Sequence, residues 1–252
     1  MRKNDISLVD IPLALVLLTR LPLPQLASSS FQRQSRAVWA FPLAGLAVTL
    51  PACMAAYAGQ ALGLSAALAA GLFLMVQVLL TGAMHEDGLA DCADGFWGGF
   101  APARRLEIMK DSQIGSYGVL ALVFAIGLRW HALSLLLDLG QGWSALAIAL
   151  LSRAMMPMLM VWLPNARQSG LSQSVGRPSR RATALGLGLA VALALPLLGF
   201  VSLAVAALLA LLTLGVGLVA RTKIGGQTGD VLGACQQVSE IVGLLMLAAL
   251  FS

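Results

Sequence analysis

Between Thr81 and Gly99 the chain reads TGAMHEDGLADCADGFWGG, with Asp87, Asp91 and Asp94 spaced by four and then three residues. On a helix those offsets return to nearly one angular position, so the three carboxylates share a face. With Glu86 they make four of the eleven acids of the chain, gathered into nine residues. Like charges stacked this closely repel, and a cation held among them removes the repulsion. All-oxygen ligands suit Mg²⁺, Mn²⁺ or Ca²⁺ better than zinc. The plain alternative is a solvated acidic loop between two helices; the thin spread of the remaining acids argues against it. His85 would point away from the shared face, which suits a hydrogen bond at the helix start more than metal ligation. Cys92 is a soft ligand among hard ones and reads as a packing residue.

A second constellation lies near the C-terminus, Arg221-Thr-Lys223-Ile-Gly225-Gly226-Gln-Thr228-Gly229-Asp230. Glycines at 225, 226 and 229 permit a tight backbone whose N–H groups converge on an anion. Lys223 adds charge and Thr228 a hydroxyl. Asp230 stands where a last helix should begin, and either caps it or turns toward the cation of the first cluster. The same string also makes an ordinary loop; beside the aspartate cluster it reads as a phosphate cradle. Between the two constellations stand Arg104, Arg105 and Lys110, followed by Asp111-Ser112. Phosphoryl transfer needs cations around the phosphate oxygens, so at least one of the three is expected there. The alternatives are that they anchor topology and that Asp111-Ser112 caps the next helix. Arg153 lies about ten residues, roughly 15 Å, inside an apolar segment, where a buried arginine requires an anionic partner.

These residues need elements to hold them. Of 252 residues, 59% are hydrophobic and only 11% charged, against about a quarter charged in a soluble domain. The apolar residues fall into segments long enough to cross a bilayer as helices: Val38–Tyr57, Leu64–Met84, Tyr117–Leu137, Trp143–Leu163, Thr183–Gly199, Val201–Val219 and Val238–Phe251. The expected fold is all-α, a single polytopic transmembrane catalytic domain over residues 1–252. Residues 1–37 form an N-terminal cytoplasmic or interfacial part, with a short interfacial or re-entrant helix at Ile6–Thr19. The last span is short unless its helix starts nearer Val231.

Seven crossings place residues 1–37, 85–116, 164–182 and 220–237 on one side. That side collects Arg2, Lys3, Arg20, Arg33, Arg36, Arg104, Arg105, Lys110, Arg167, Arg177, Arg180, Arg181, Arg221 and Lys223, and the other side no Lys or Arg. Only Arg129 and Arg153 remain, within spans. The basic side is the cytoplasmic one. The net charge of +5 therefore reports topology, and with no basic–aromatic clustering nucleic acid is not expected as a partner. Cys53, Cys92 and Cys235 have no paired spacing and imply no disulfide; Cys53 falls in a span, the other two in cytoplasmic loops. Chemistry confined to one face, without repeated halves, argues against a transporter.

The chain resembles the cobalamin synthase family, the adenosylcobinamide-GDP ribazoletransferases. The resemblance rests on His85-x-Asp87-Gly88-x-x-Asp91-x-x-Asp94-Gly95, Ile108-Met109-Lys110-Asp111-Ser112-x-x-Gly115 and Lys223-x-Gly225-Gly226-x-Thr228-Gly229-Asp230-x-x-Gly233-Ala234. Thr19-Arg20-Leu21-Pro22, Phe41-Pro42-Leu43-x-Gly45, Leu151-Ser152-Arg153 and Leu163-Pro164-x-Ala166-Arg167 extend it over nearly the whole chain. It implies an inner-membrane enzyme with cytoplasmic active-site loops. Such an enzyme joins a corrinoid nucleotide, adenosylcobinamide-GDP, to α-ribazole or its 5′-phosphate, with Mg²⁺ and release of GMP.

On that reading Asp87, Asp91, Asp94, Lys110, Asp111, Lys223 and Asp230 are catalytic. His85, Glu86, Arg104, Arg153, Gly225, Gly226, Thr228 and Gly229 contact substrate, and Asp87, Asp91, Asp94 and Asp230 hold Mg²⁺. The general base is open among Glu86, Asp94, Asp111 and His85. Membrane lipid is a partner, and a homo-oligomer is left open. A CDP-alcohol phosphatidyltransferase-like enzyme is the first alternative, but Asp87-Gly88-Leu-Ala-Asp91 lacks the Ala-Arg pair of that motif and its last spacing is three rather than four. A cation transporter is the second; it would place acids deep in several spans.

Overall fold

The computed structural model describes residues 6–252, and Arg2 and Lys3 of the basic side lie outside the described residues. After a short helix, α1 (Asp10–Leu18), and two 3₁₀ turns come ten further helices. They are α2 (Phe41–Ala61), α3 (Ala66–Thr81), α4 (Met84–Gly98), α5 (Pro102–Ile108), α6 (Ser116–Asp138), α7 (Ala145–Trp162), α8 (Leu171–Val175), α9 (Arg180–Leu198), α10 (Val201–Ile224) and α11 (Gly229–Phe251). There are no strands among the described residues, only one parallel bridge between Asn165 and Gln227. The protein is an all-α, multi-pass membrane protein.

Local chemistry sets the helix ends. Pro42 starts α2, where its missing N–H costs nothing. Ser65, Ser179 and Thr228 accept hydrogen bonds from the backbone N–H three residues on, capping α3, α9 and α11. The last helix therefore begins at Gly229, ahead of the expected Val238, and is long enough to span. Among the described residues six helices are long and apolar enough to cross a membrane alone; α3 with α4 is a seventh candidate, bent by 87°. At 1.5 Å per residue the 16 residues of α3 rise about 24 Å, most of the hydrocarbon thickness. The expected second span, Leu64–Met84, thus ends at Thr81, and α4 runs across its end as a separate helix.

The most enclosed span is α7, whose apolar window is 89% buried against 28% in α6 and in α10. It touches α2, α9, α10 and α11 and forms the axis of the bundle. On α6 and α10, Val123, Phe124, Leu211 and Leu218 are exposed, the apolar exterior a bilayer covers. The alternation of helices gathers α1, α4, α5, α8 and the 163–170 and 225–228 connections at one end. Contacts join them there: Arg105 donates to the Lys223 carbonyl at 2.8 Å, and Gln227 N–H to the Pro164 carbonyl at 2.8 Å. At the other end, Tyr57 stacks on Trp143 at 5.0 Å.

Candidate active site

The acidic helix α4 lies against the first turn of α11 because neither helix carries a side chain at the crossing. A Cβ on Gly88 would stand 2.8 Å from the Asp230 carbonyl oxygen, and one on Gly233 3.2 Å from the His85 Cα. This approach brings Asp87 and Asp91 of α4 beside Asp230 of α11. Thr228, not Asp230, caps α11, accepting from the Val231 N–H at 3.3 Å. Asp230 is free for the site: its Oδ2 accepts from Arg167 at 2.9 Å and from the Thr228 hydroxyl at 3.2 Å. Arg167 also donates to the Leu106 carbonyl at 3.1 Å, tying α5 to the cluster. Arg167 stood in a matched motif, but its pairing with a residue 63 positions away has no local signal.

Asp94 shares the face of Asp87 and Asp91 and is buried, but its oxygens face α6. They accept from the Gly115 N–H at 2.7 Å and the Gly118 N–H at 2.9 Å. Asp94 thus does for α6 what the alternative reading gave to Asp111-Ser112; Asp111 is exposed and accepts from the Gln113 N–H at 3.1 Å.

Glu86 points into the bundle. Arg129, 1% exposed, donates to Glu86 at 2.8 Å, Gln237 at 2.9 Å and Glu240 at 2.8 Å, and also to Gln77. Arg153 meets the other Glu240 oxygen at 3.7 Å. Its required anion is therefore a protein side chain, and the two arginines balance the two glutamates. This places Glu86 and Arg153 in the core rather than on an open substrate surface. His85 is buried beside them, with Nε2 lacking a hydrogen-bond partner.

The glycine string divides. Gly225 ends α10 in the left-handed region at φ 77°. Gly226 lies under the 164–167 strand-like segment, where a Cβ would meet the Pro164 carbonyl oxygen at 2.3 Å. Gln227, Thr228, Gly229 and Asp230 line a cavity; Gly225 and Gly226 lie outside its lining. Lys223 stands 5.2 Å over the Trp97 ring, a cation–π contact, and Arg104 pairs with Glu107 at 2.8 Å on the surface. Neither borders the cavities described next. Cys92 and Cys235 are buried in α4 and α11, where loops had been expected.

Two cavities meet at Asp87. The first, about 170 Å³, has an apolar floor and a polar rim of Asn165, Arg167, Ser172, Gln227 and Asp230. The second, about 370 Å³, is polar and lined by Asp91, Lys110, Asp111, Ser112 and Gln113. Asp87 borders both.

Asp91 is partly buried on α4, outside the spans. Burial first, then the charges of Asp230 and Asp87, push its carboxyl up to about 7. Arg167 offsets only part of the negative charge of such a cluster, and its all-oxygen donors suit a hard divalent cation. Among the described residues no three His, Cys, Asp or Glu side chains are grouped to ligate one ion. The donor chemistry fits a metal, while Asp94 is engaged elsewhere.

The profile of the cobalamin-5-phosphate synthase family matches residues 10–248. Proteins named adenosylcobinamide-GDP ribazoletransferase are similar over nearly their full length. One from Mesorhizobium japonicum is 43% identical, covering 96% of this chain and 94% of its own. One from Bradyrhizobium diazoefficiens is 43% identical with the same coverage, and one from Rhizobium meliloti is 42% identical, covering 95% of each. No solved structure matches the chain.

Proposed function

The chain belongs to the cobalamin-5-phosphate synthase family, and from that premise we propose that it joins adenosylcobinamide-GDP to α-ribazole or its 5′-phosphate, with release of GMP. The observation that carries the reading is the position of Asp87 between two cavities, with Asp91 and Asp230 beside it. A transferase of this kind must bring two large substrates to one phosphorus, and a carboxylate cluster shared by two cavities is where they would meet.

The acceptor's ribose hydroxyl oxygen forms a bond to the phosphorus carried by the cobinamide. The bond from that phosphorus to the bridging oxygen breaks, and GMP leaves with the electron pair. The hydroxyl proton passes to a carboxylate of the cluster. Glu86 and Asp94 are unsuited to take it, since Arg129 and the α6 backbone engage them. Asp87, Asp91 and Asp230, not grouped around one point without an ion, would draw together on Mg²⁺, which when bound supplies positive charge to the phosphoryl oxygens. Arg167 fixes Asp230 and neutralises part of its charge. Lys110, on the rim of the second cavity, balances charge on the phosphate of the departing GMP. The basic end faces the cytoplasm, and the membrane is the inner one.

The test is GMP release by the purified protein in detergent or lipid, given both substrates, with Mg²⁺ or EDTA. We expect Mg²⁺-dependent release, and Asp87→Asn and Asp91→Asn to lower turnover on the order of a hundredfold or more while still inserting in the membrane. No release by the wild type, or wild-type rates in both variants, would overturn the reading.

A further inference from the structure

We infer that the first cavity is the subsite for the flat heteroaromatic base of the acceptor nucleoside, with the phosphate-bearing donor approaching from the second. The inference rests on the activity proposed above and goes on to place its substrates. The floor is built by Leu17, Leu18, Phe41, Met156 and Met160, which arrive from α1, α2 and α7. Side chains of this kind, with methionine sulfurs among them, suit an aromatic face.

A guanine would need partners for the several donors and acceptors along its edges, and each group left unpaired weakens binding. The rim offers few. The Ser172 hydroxyl donates to Gln227 at 2.6 Å, and Gln227 donates in turn to Asn165. Arg167 is engaged with Asp230 and Leu106. Two lining side chains have an unmet buried polar atom, the Nε2 of His85 and the Nε of Arg167, and of these Arg167 is already committed through its other nitrogens. A benzimidazole joined to ribose presents a single unsubstituted ring nitrogen, a demand that one imidazole N–H meets.

A corrin ring is far larger than a cavity of about 170 Å³, so the cobinamide stays outside it. The second cavity, polar and open beside Lys110, suits phosphates instead. With the base on the apolar floor, the ribose lies toward Asp87, Thr228 and Asp230, which border the same cavity. Its hydroxyl then faces the cluster that a phosphate reaches from the other side.

Ser169 is exposed on the rim of the first cavity, and Cys53, Cys92 and Cys235 are all buried. Ser169→Cys therefore gives a single reactive thiol, read by the rate of maleimide labelling in detergent without turnover. We expect α-ribazole to slow labelling several-fold and GMP to leave it unchanged. Protection by GMP, alone or equally with α-ribazole, would overturn the assignment, as would protection by neither.

Met160→Trp checks it independently by filling the floor. It should raise KM for α-ribazole about tenfold or more and leave KM for adenosylcobinamide-GDP unchanged. A rise in the donor's KM instead would overturn the assignment. Absence of GMP release by the wild type strikes the activity alone, because the labelling result stands without it.

Discussion

Asp87 and Glu86 are neighbours in sequence, yet one faces the cavities and the other the bundle interior. Successive residues on a helix differ by about 100°, so the acid that borders the cavities and the acid that anchors lie on different sides of α4. The anchor is Arg129, which joins Glu86 on α4 to Gln237 and Glu240 on α11 and so links the two helices that carry Asp87 and Asp230. Removing one partner of such a buried pair costs about 3–5 kcal/mol, because a charge is left without compensation. In a chain of this size that corresponds to a fall in melting temperature of about 6–20 °C. Arg129→Met should show such a fall in detergent. Adding Glu86→Gln should recover part of it, since Arg153 remains near Glu240. Equal melting of the single and double variants would mean that the pairing with Glu86 carries no stability.

Among the elements, the bend between α3 and α4 decides whether the aspartates face a site or continue through the bilayer. Gly82 and Ala83 both adopt the left-handed conformation, at φ 65° and 57°. For alanine this costs about 1–2 kcal/mol, whereas glycine adds about 0.4–1 kcal/mol of freedom to the unfolded chain. The first magnitude wins, so Ala83→Gly should raise the melting temperature by up to a few degrees or leave it unchanged. Gly82→Val should do the reverse and lower activity with it, because a Cβ there would stand 2.7 Å from Arg20 Cγ. Wild-type stability in Gly82→Val would show that the turn tolerates a side chain and does not set the angle.

This bend also marks how far a sequence reading reaches. The apolar segments and the four-and-three spacing of the aspartates are periodic, and both were legible. A glycine followed by an alanine inside an apolar run carries no such mark of a sharp turn. Asp94 was placed on the right face, but its partners lie on another helix, the nearer of them 21 residues on. The Pro164 carbonyl that covers Gly226 likewise belongs to a distant connection. Contacts of that kind are set by packing and leave no local pattern.

At the scale of the whole molecule, the fold gathers the two cavities and the aspartates that border them at one end of the bundle and leaves short links at the other. Lys and Arg follow the same division, and loops rich in them stay on the cytoplasmic side during insertion. Moving Arg104, Arg105, Lys110 and Arg167 across a bilayer would oppose both that preference and the membrane potential. The proposed reaction would then draw its substrates from the cytoplasm. Gln168 is exposed at the site end and Gln141 at the opposite end. The three native cysteines are buried, so a membrane-impermeant maleimide reads an introduced thiol against a silent background. Gln168→Cys should be labelled in inverted vesicles and not in intact spheroplasts, and Gln141→Cys the other way round. Reversal of both would turn the site outward and remove cytoplasmic substrates from its reach. Labelling of both from one side would break the count of seven crossings, because Gln141 and Gln168 are separated by α7 alone.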